Sequence, residues 1–363
     1  MSADNVNYLL PTEGKFFASY KTPPMITHIQ DALLPDIEQV AKDIAATEAP
    51  NLHFVGCACG LSAGLDAKYI LDRFSTIRSD VYTGYQFLSR SPLILDENSF
   101  VFLMSLSGET PETLEAKKLA MERGANCIVI TETKESPLAA EEPVVPVVLN
   151  YHTQAGVYTA PLTVLYLLSA HIMKARSESV DTAEEILSEM KLVPERMEKL
   201  AETTFEQGRE LAEQFNDVEL FYVLGTGVLF GLAFKIAKSV ITENLWLDAC
   251  EIDAAEFYHG PMEIVPPKPP ERQKRAFLHL LGTEKVSRIP SKQALAFLTK
   301  AGARQLVFDA KDYPEFGELF APYALFAPTE WFIMHMAAQM GHHVDDRRWM
   351  GKIGASWGEY GDL

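Results

Sequence analysis

The chain has 363 residues, 47% of them hydrophobic, which is apolar material for two sizeable cores. Lysine and arginine total 32 against 50 acidic residues, and the formal charge of -18 argues against a nucleic-acid-binding or anionic-membrane surface, so an anionic ligand must be held locally. Residues 1–15 lack a basic stretch followed by an apolar one, and no segment approaches about 18 uninterrupted apolar residues, so a soluble cytoplasmic protein is expected.

In chain order, an N-terminal segment (1–34) precedes a first α/β domain expected over 35–175. From Asn51 the run NLHFVG passes through a Gly/Cys/Ser turn into helical spacing at Leu65, Tyr69, Ile70 and Phe74. A second strand-loop-helix unit follows, with a strand around Phe102 to Met104, a polar loop and a helix beginning near Pro111; the strand CIVIT then closes a βαβ crossover. Alternation of this kind predicts a parallel sheet with helices on both faces and a ligand site at the carboxyl ends of the strands. Cys57, Cys59, Cys127 and Cys250 form no C-x-x-C pair and no disulfide framework, and are expected to be reduced and buried.

The plan then repeats. Gly60, Gly64, Leu65 and Lys68 correspond to Gly227, Gly231, Leu232 and Lys235, each pair 167 residues apart (227 − 60), a separation natural for a duplicated domain. The second domain is expected over 206–340, with strands in KRAFLHLLG and RQLVFD and a helix around Ser291 to Ala301. A charged, helically periodic linker at 176–205 joins the two, with Pro194 inside it. The tail, 341–363, carries Trp349, Trp357 and Tyr360, which gain from burial against a domain or a partner subunit.

Two segments suggest chemistry. In SLSGETPET, the hydroxyls of Ser105, Ser107 and Thr110 cluster between a strand end and a helix start, and Gly108 allows close backbone approach. With Thr110 as N-cap and Pro111 at the first helical position, free N–H groups and the positive end of the helix dipole face the loop, a setting for an oxyanion. Ser62, after the first strand, could add a fourth hydroxyl. Serines and threonines also cap helices without binding anything, so the cluster alone leaves both readings open. Nucleotide loops fit poorly, because neither G-x-x-x-x-G-K-[ST] nor G-x-G-x-x-G is present.

The second segment runs from Glu243 to EFYHGPME. His259 precedes a Gly-Pro turn and lies sixteen residues after Glu243 (259 − 243), so a proton-transfer pair and two purely structural side chains are both compatible with the spacing. His342 and His343 with Asp345 and Asp346 do not complete a familiar metal-ligand set, and no metal or cofactor is expected.

Together these motifs resemble the sugar isomerase (SIS) domain family. The loop is similar to the S-x-S-G-E-T phosphate loop in the isomerase half of glucosamine-6-phosphate synthase, and CGLS to that family's C-G-T-S. The resemblance implies two tandem SIS domains from about residue 35, each a flavodoxin-like parallel sheet sandwiched by helices, with the C-terminal tail completing the site. It further implies Gly60, Ser62, Ser105, Leu106, Ser107, Gly108 and Thr110 as binding residues for a phosphate or other terminal anion, Glu243 as the carbon-acid base, His259 as the ring-opening group, and Lys352 as the tail lysine. Tyr258 stands where the synthase has lysine, and EFYHGPMEIV with DDRRWMGK looks closer to the fructosamine-6-phosphate deglycases, including the fructoselysine and fructose-asparagine types. The implied activity is a deglycase working through an enediol or enaminol. A ketose–aldose isomerase of a six-carbon sugar with a terminal anion, either a sugar 6-phosphate or a sulfosugar such as sulfoquinovose, is the alternative, and a non-catalytic sugar-phosphate sensor is a third. A homodimer or higher homo-oligomer with shared sites is expected.

Overall fold

The computed structural model describes residues 22–132, 134–140, 144–148, 156–266, 274–344 and 346–349. They form two compact units, Pro24–Pro194 with Trp349 in the first and Glu195–Arg348 with Thr22 and Pro23 in the second.

The first unit runs through α1 (Leu34–Ala46), β1 (Asn51–Gly56), α2 (Cys59–Phe74), β2 (Arg78–Tyr82), α3 (Gly84–Arg90), β3 (Ser99–Met104), α4 (Pro111–Glu122), β4 (Asn126–Thr131), β5 (Val144–Val148), α5 (Gly156–Ala175) and α6 (Val180–Met190). Its five strands are all parallel, in the order β2-β1-β3-β4-β5. This is the flavodoxin-like order, in which the connections leaving β1 and β3 diverge and open a crevice at their carboxyl ends. The two central strands, NLHFVG and SFVFLM, are buried at every residue, as helices on both faces of a parallel sheet require. Close packing of α2 on this sheet depends on small residues: a Cβ at Gly60 would lie 3.1 Å from that of Met104, and one at Gly64 would lie 3.0 Å from that of Phe54.

The second unit contains α7 (Val193–Phe215), β6 (Leu220–Gly225), α8 (Phe230–Lys235), which widens into π-helical turns over Ile236–Leu245, then β7 (Asp248–Asp253), β8 (Arg275–Leu281), α9 (Arg288–Ala301), β9 (Arg304–Asp309) and α10 (Ala321–Met340). Its four described strands are parallel in the order β7-β6-β8-β9, repeating the first four positions of the other sheet. The leading strands end at Gly56 and Gly225, 169 residues apart (225 − 56) and so two more than the paired glycines of the sequence repeat. The paired lysines also differ: Lys68 donates to Asp72 and to the Ser79 carbonyl near the surface, whereas Lys235 is buried against Glu330. The helix α10 is buried from Ala321 through Ala338 and forms the centre of this unit.

Residues 176–205, read from the sequence as a linker, are built into the two units. The first-unit helix α6 buries Ala183, Ile186 and Met190. In α7, Leu200, Ala201 and Thr204 are buried, and the Ala201 carbonyl accepts from Trp331 Nε1 at 2.7 Å. One further expectation is corrected. Of the cysteines, Cys59 and Cys127 are buried, Cys57 is half-buried and Cys250 is exposed, because β7 is an edge strand whose alternate residues face outward. Trp349 is 63% exposed; Trp357 and Tyr360 lie outside the described residues. Among the described residues no helix is long and apolar enough to cross a membrane.

Candidate functional site

The crevice of the first sheet holds a cavity of about 300 Å³ lined by the turn after β1 (Cys57, Ala58, Cys59, Gly60) and the loop after β3 (Ser105, Leu106, Ser107, Thr110), with Met104, Ile130, Thr131, Val157 and Pro161 completing the wall. None of these side chains is charged. Ala58 stands at φ 49° where β1 turns into α2, a conformation that costs a non-glycine residue free energy and that marks functional turns.

The loop is held in shape by its own hydroxyls. Ser105 Oγ accepts from the Gly108 N–H at 3.1 Å and shares a hydrogen bond with Thr110 Oγ1 at 2.8 Å, while Ser107 Oγ accepts from the Glu109 N–H at 3.2 Å. The Leu106 carbonyl accepts from Thr131 Oγ1 at 3.1 Å and from the Glu132 N–H at 3.0 Å, tying the loop to the end of β4. Thr110 is the N-cap of α4 with Pro111 in its first turn, as the sequence suggests, but its hydroxyl points to Ser105 rather than capping the helix. The first-turn amides and the helix dipole thus lie at the cavity without a capping side chain over them.

Of the sequence-derived anion ligands, Gly60, Ser105, Leu106, Ser107 and Thr110 line the cavity. Ser62 and Gly108 stand behind its wall. Ser62 is fully buried and its hydroxyl donates to the Ala58 carbonyl at 3.0 Å, within α2. Gly108 has φ 65° and lies against Ser136, with its carbonyl accepting from the Leu138 N–H at 3.0 Å.

Sequence reasoning missed Cys57 and Glu112. Cys57 Sγ donates to the buried Glu112 carboxylate at 3.3 Å, and burial pushes the thiol up to about 11, so this wall of the cavity presents a neutral S–H. Their separation of 55 residues gives no local signal.

The second unit carries the acid–base candidates. Glu243 lies near the end of the widened helix, and one carboxylate oxygen accepts from Arg347 Nε at 2.7 Å. The segment around Arg347 is strapped to the same helix end: Asn244 Nδ2 donates to the Val344 carbonyl at 2.6 Å, and His342 Nε2 is 2.8 Å from the Asn244 carbonyl. Trp246, at φ 59°, stacks on His342 with centroids 3.9 Å apart and the rings 12° from parallel, and the Arg348 guanidinium carbon lies 4.5 Å from the centroid of the Trp246 ring. His259 ends a 3₁₀ turn and is exposed, followed by Gly260 at φ 136°; no hydrogen bond or ion pair joins it to Glu243 among the described residues. Tyr258 is directed away, its hydroxyl donating to the Gln293 carbonyl at 3.0 Å. Lys352 lies outside the described residues. No group of three His, Cys, Asp or Glu side chains able to hold a metal occurs among the described residues; His342 is engaged with Trp246 and Asn244 instead.

The family model described as the SIS domain matches residues 47–172, which contain β1 to β5 and both lips of the cavity. The first unit is a SIS domain. The fold of the whole chain is that of tandem SIS domains: a candidate phosphosugar isomerase from Bacillus subtilis superposes with a TM-score of 0.75 at 26% identity, over 88% of this chain and 97% of that one. The chain is also 27% identical over 341 residues to the fructoselysine 6-phosphate deglycase of Escherichia coli (strain K12), covering 92% of this chain and 95% of that protein. It is 28% identical over 328 residues to a fructosamine deglycase of Bacillus subtilis (strain 168), covering 88% and 96%. In the SIS domain the hydroxyl-and-amide cavity therefore occupies the crevice at which this class of sheet takes its ligands.

Proposed function

We propose that the chain is a sugar-phosphate-processing enzyme, a fructosamine 6-phosphate deglycase acting through an enediol or enaminol. The observation that carries this reading is the uncharged oxyanion cavity of a SIS domain, in a chain similar over nearly its whole length to two deglycases. The loop from Ser105 to Thr110 holds the terminal anion through hydroxyls and amides. In the second unit His259 opens the sugar ring, and the Glu243 carboxylate takes the proton from the carbon next to the carbonyl or imine carbon. That C–H bond breaks, its electron pair forms the C=C bond of the intermediate, and the heteroatom accepts a proton from a general acid. Rearrangement to an imine and attack by water then release the amine and a sugar 6-phosphate. Lys352 assists from the tail. No cofactor enters these steps.

Incubation with fructoselysine 6-phosphate tests the proposal, because only deglycation releases free lysine. A second reading, a ketose–aldose isomerase of a six-carbon sugar with a terminal anion, draws support from the neutral cavity wall, which offers a sulfonate the same hydroxyls and amides as a phosphate. Lysine never released, together with interconversion of a ketose 6-phosphate or of sulfoquinovose, would establish the isomerase. Binding of all of these without turnover would establish a sensor. The deglycase reading carries with it a cytoplasmic homodimer or larger homo-oligomer with shared sites, and light scattering on the active species tests the oligomer.

A further inference from the structure

We infer that Arg347 is a positioning residue for Glu243, holding one oxygen of the carboxylate so that the other faces the carbon-bound proton. The inference rests on the reading of Glu243 as the base. Arg347 Nε donates to Glu243 at 2.7 Å, and its Nη1 donates to the carbonyls of Val344 and Asp346, each at 3.2 Å, so the guanidinium is fixed by its own backbone turn before it meets the carboxylate. That turn is in turn fixed to the helix carrying Glu243. Asn244, the next residue, donates through its side-chain amide to the Val344 carbonyl and accepts the His342 ring N–H at its own carbonyl, and the Trp246 ring contacts both the His342 ring and the Arg348 guanidinium. Donor and acceptor of the ion pair therefore belong to one rigid assembly, although 104 residues separate them in the chain.

The arrangement leaves one carboxylate oxygen occupied and the other without a hydrogen bond among the described residues. A carboxylate rotates freely about its last torsion unless something holds it, and only one of its lone pairs points along a given C–H bond. The planar guanidinium supplies that hold in a way a lysine ammonium reproduces only in part. Proton abstraction is sensitive to such placement, and a misplacement near 1 Å costs on the order of 10²-fold in rate.

The experiment compares Arg347→Met, Arg347→Lys, Arg347→Ala and Glu243→Gln in the full chain, with release of lysine from fructoselysine 6-phosphate as the readout and thermal melting as the fold check. Arg347→Met is expected to lower kcat by about 10- to 100-fold with KM changed less than about threefold, and Arg347→Lys to restore part of the loss. Guanidine hydrochloride at millimolar concentration is expected to rescue Arg347→Ala. If Arg347→Met turns over at the parent rate while Glu243→Gln is inactive, the inference about Arg347 fails and the base assignment stands. Full activity of Glu243→Gln would remove both. If Met and Lys at position 347 are equally impaired and both lose the parent's cooperative melt, Arg347 serves the fold and the inference is overturned.

Discussion

Gly108 lies so close to Ser136 that a Cβ at position 108 would stand 2.4 Å from both the Cβ and the hydroxyl oxygen of that serine. The backbone there is also left-handed, at φ 65°. Glycine at this position is thus required twice, by conformation and by space, and the residue shapes the anion loop without lining the cavity. Gly108→Ala should cost on the order of 1–3 kcal/mol in backbone strain and displace the Ser105 hydroxyl that its N–H engages. Titration calorimetry with inorganic phosphate should show weakened binding; unchanged affinity would mean that the loop tolerates rearrangement and that the hydroxyls are not the holding groups.

Glu243→Gln removes the base and keeps the volume. Turnover should fall by about 10²–10⁴-fold, while the melting temperature and the affinity for inorganic phosphate stay near those of the parent, because the loop belongs to the first unit and Glu243 to the second. Steady-state kinetics on the substrate that the parent consumes decide the matter.

Two buried histidines make the fold sensitive to mild acid. Burial holds His53 and His279 at about 4, far below the usual 6.5, so each is neutral in the native state. In the unfolded chain they take up protons near 6.5. The folded state binds fewer protons than the unfolded one between these values, and stability falls as pH drops from about 6.5 to 4, by up to roughly 3 kcal/mol per histidine. Urea midpoints recorded from pH 4.5 to 7 should therefore rise with pH, and His279→Asn should flatten the slope. A midpoint independent of pH across that window would contradict the assignment.

Lys235 and Glu330 form an ion pair with side-chain exposures of 5% and 1%, and Lys235 also lies 4.4 Å over the Phe326 ring. Burial raises the Glu330 carboxyl and the ammonium beside it pulls it back. Removing one charge strands the other, so Lys235→Met should destabilise the second unit by about 3–5 kcal/mol, and Lys235→Met with Glu330→Leu should recover most of that. Denaturant melts of the two variants measure the difference; equal losses would show that the lysine matters for packing alone.

What the sequence discloses here is what short-range chemistry encodes. The strand ends at Gly56 and Met104, the N-cap at Thr110 and the Pro111 start of α4 follow from local apolar runs, turn residues and capping preferences, and they place the loop without any knowledge of the rest of the chain. Partnerships across the chain leave no such trace. Nothing in the neighbourhood of Arg347 points to Glu243, and nothing around Cys57 points to Glu112, because helical or strand periodicity reports which face is buried and not against what. The glycine repeat misleads for a related reason: a constant spacing of 167 residues registers similar turns, whereas the strands they follow are offset by 169. The burial of Lys235 and the exposure of Cys250 follow from which strand is central and which is an edge, a property of the sheet and not of either segment.

The uncharged wall of the cavity has a kinetic side. A chain of charge -18 repels a dianion at long range, and the described lining of hydroxyls, amides and thiols shows no lysine or arginine with which to draw it in. Capture then depends on contact rather than on steering, so the association rate of an anionic sugar should rise as added salt screens the repulsion, the reverse of what a cationic phosphate pocket shows. Stopped-flow binding across ionic strength would reveal the sign directly. An enzyme built this way trades speed of encounter for indifference to the other anions that a cationic pocket would collect.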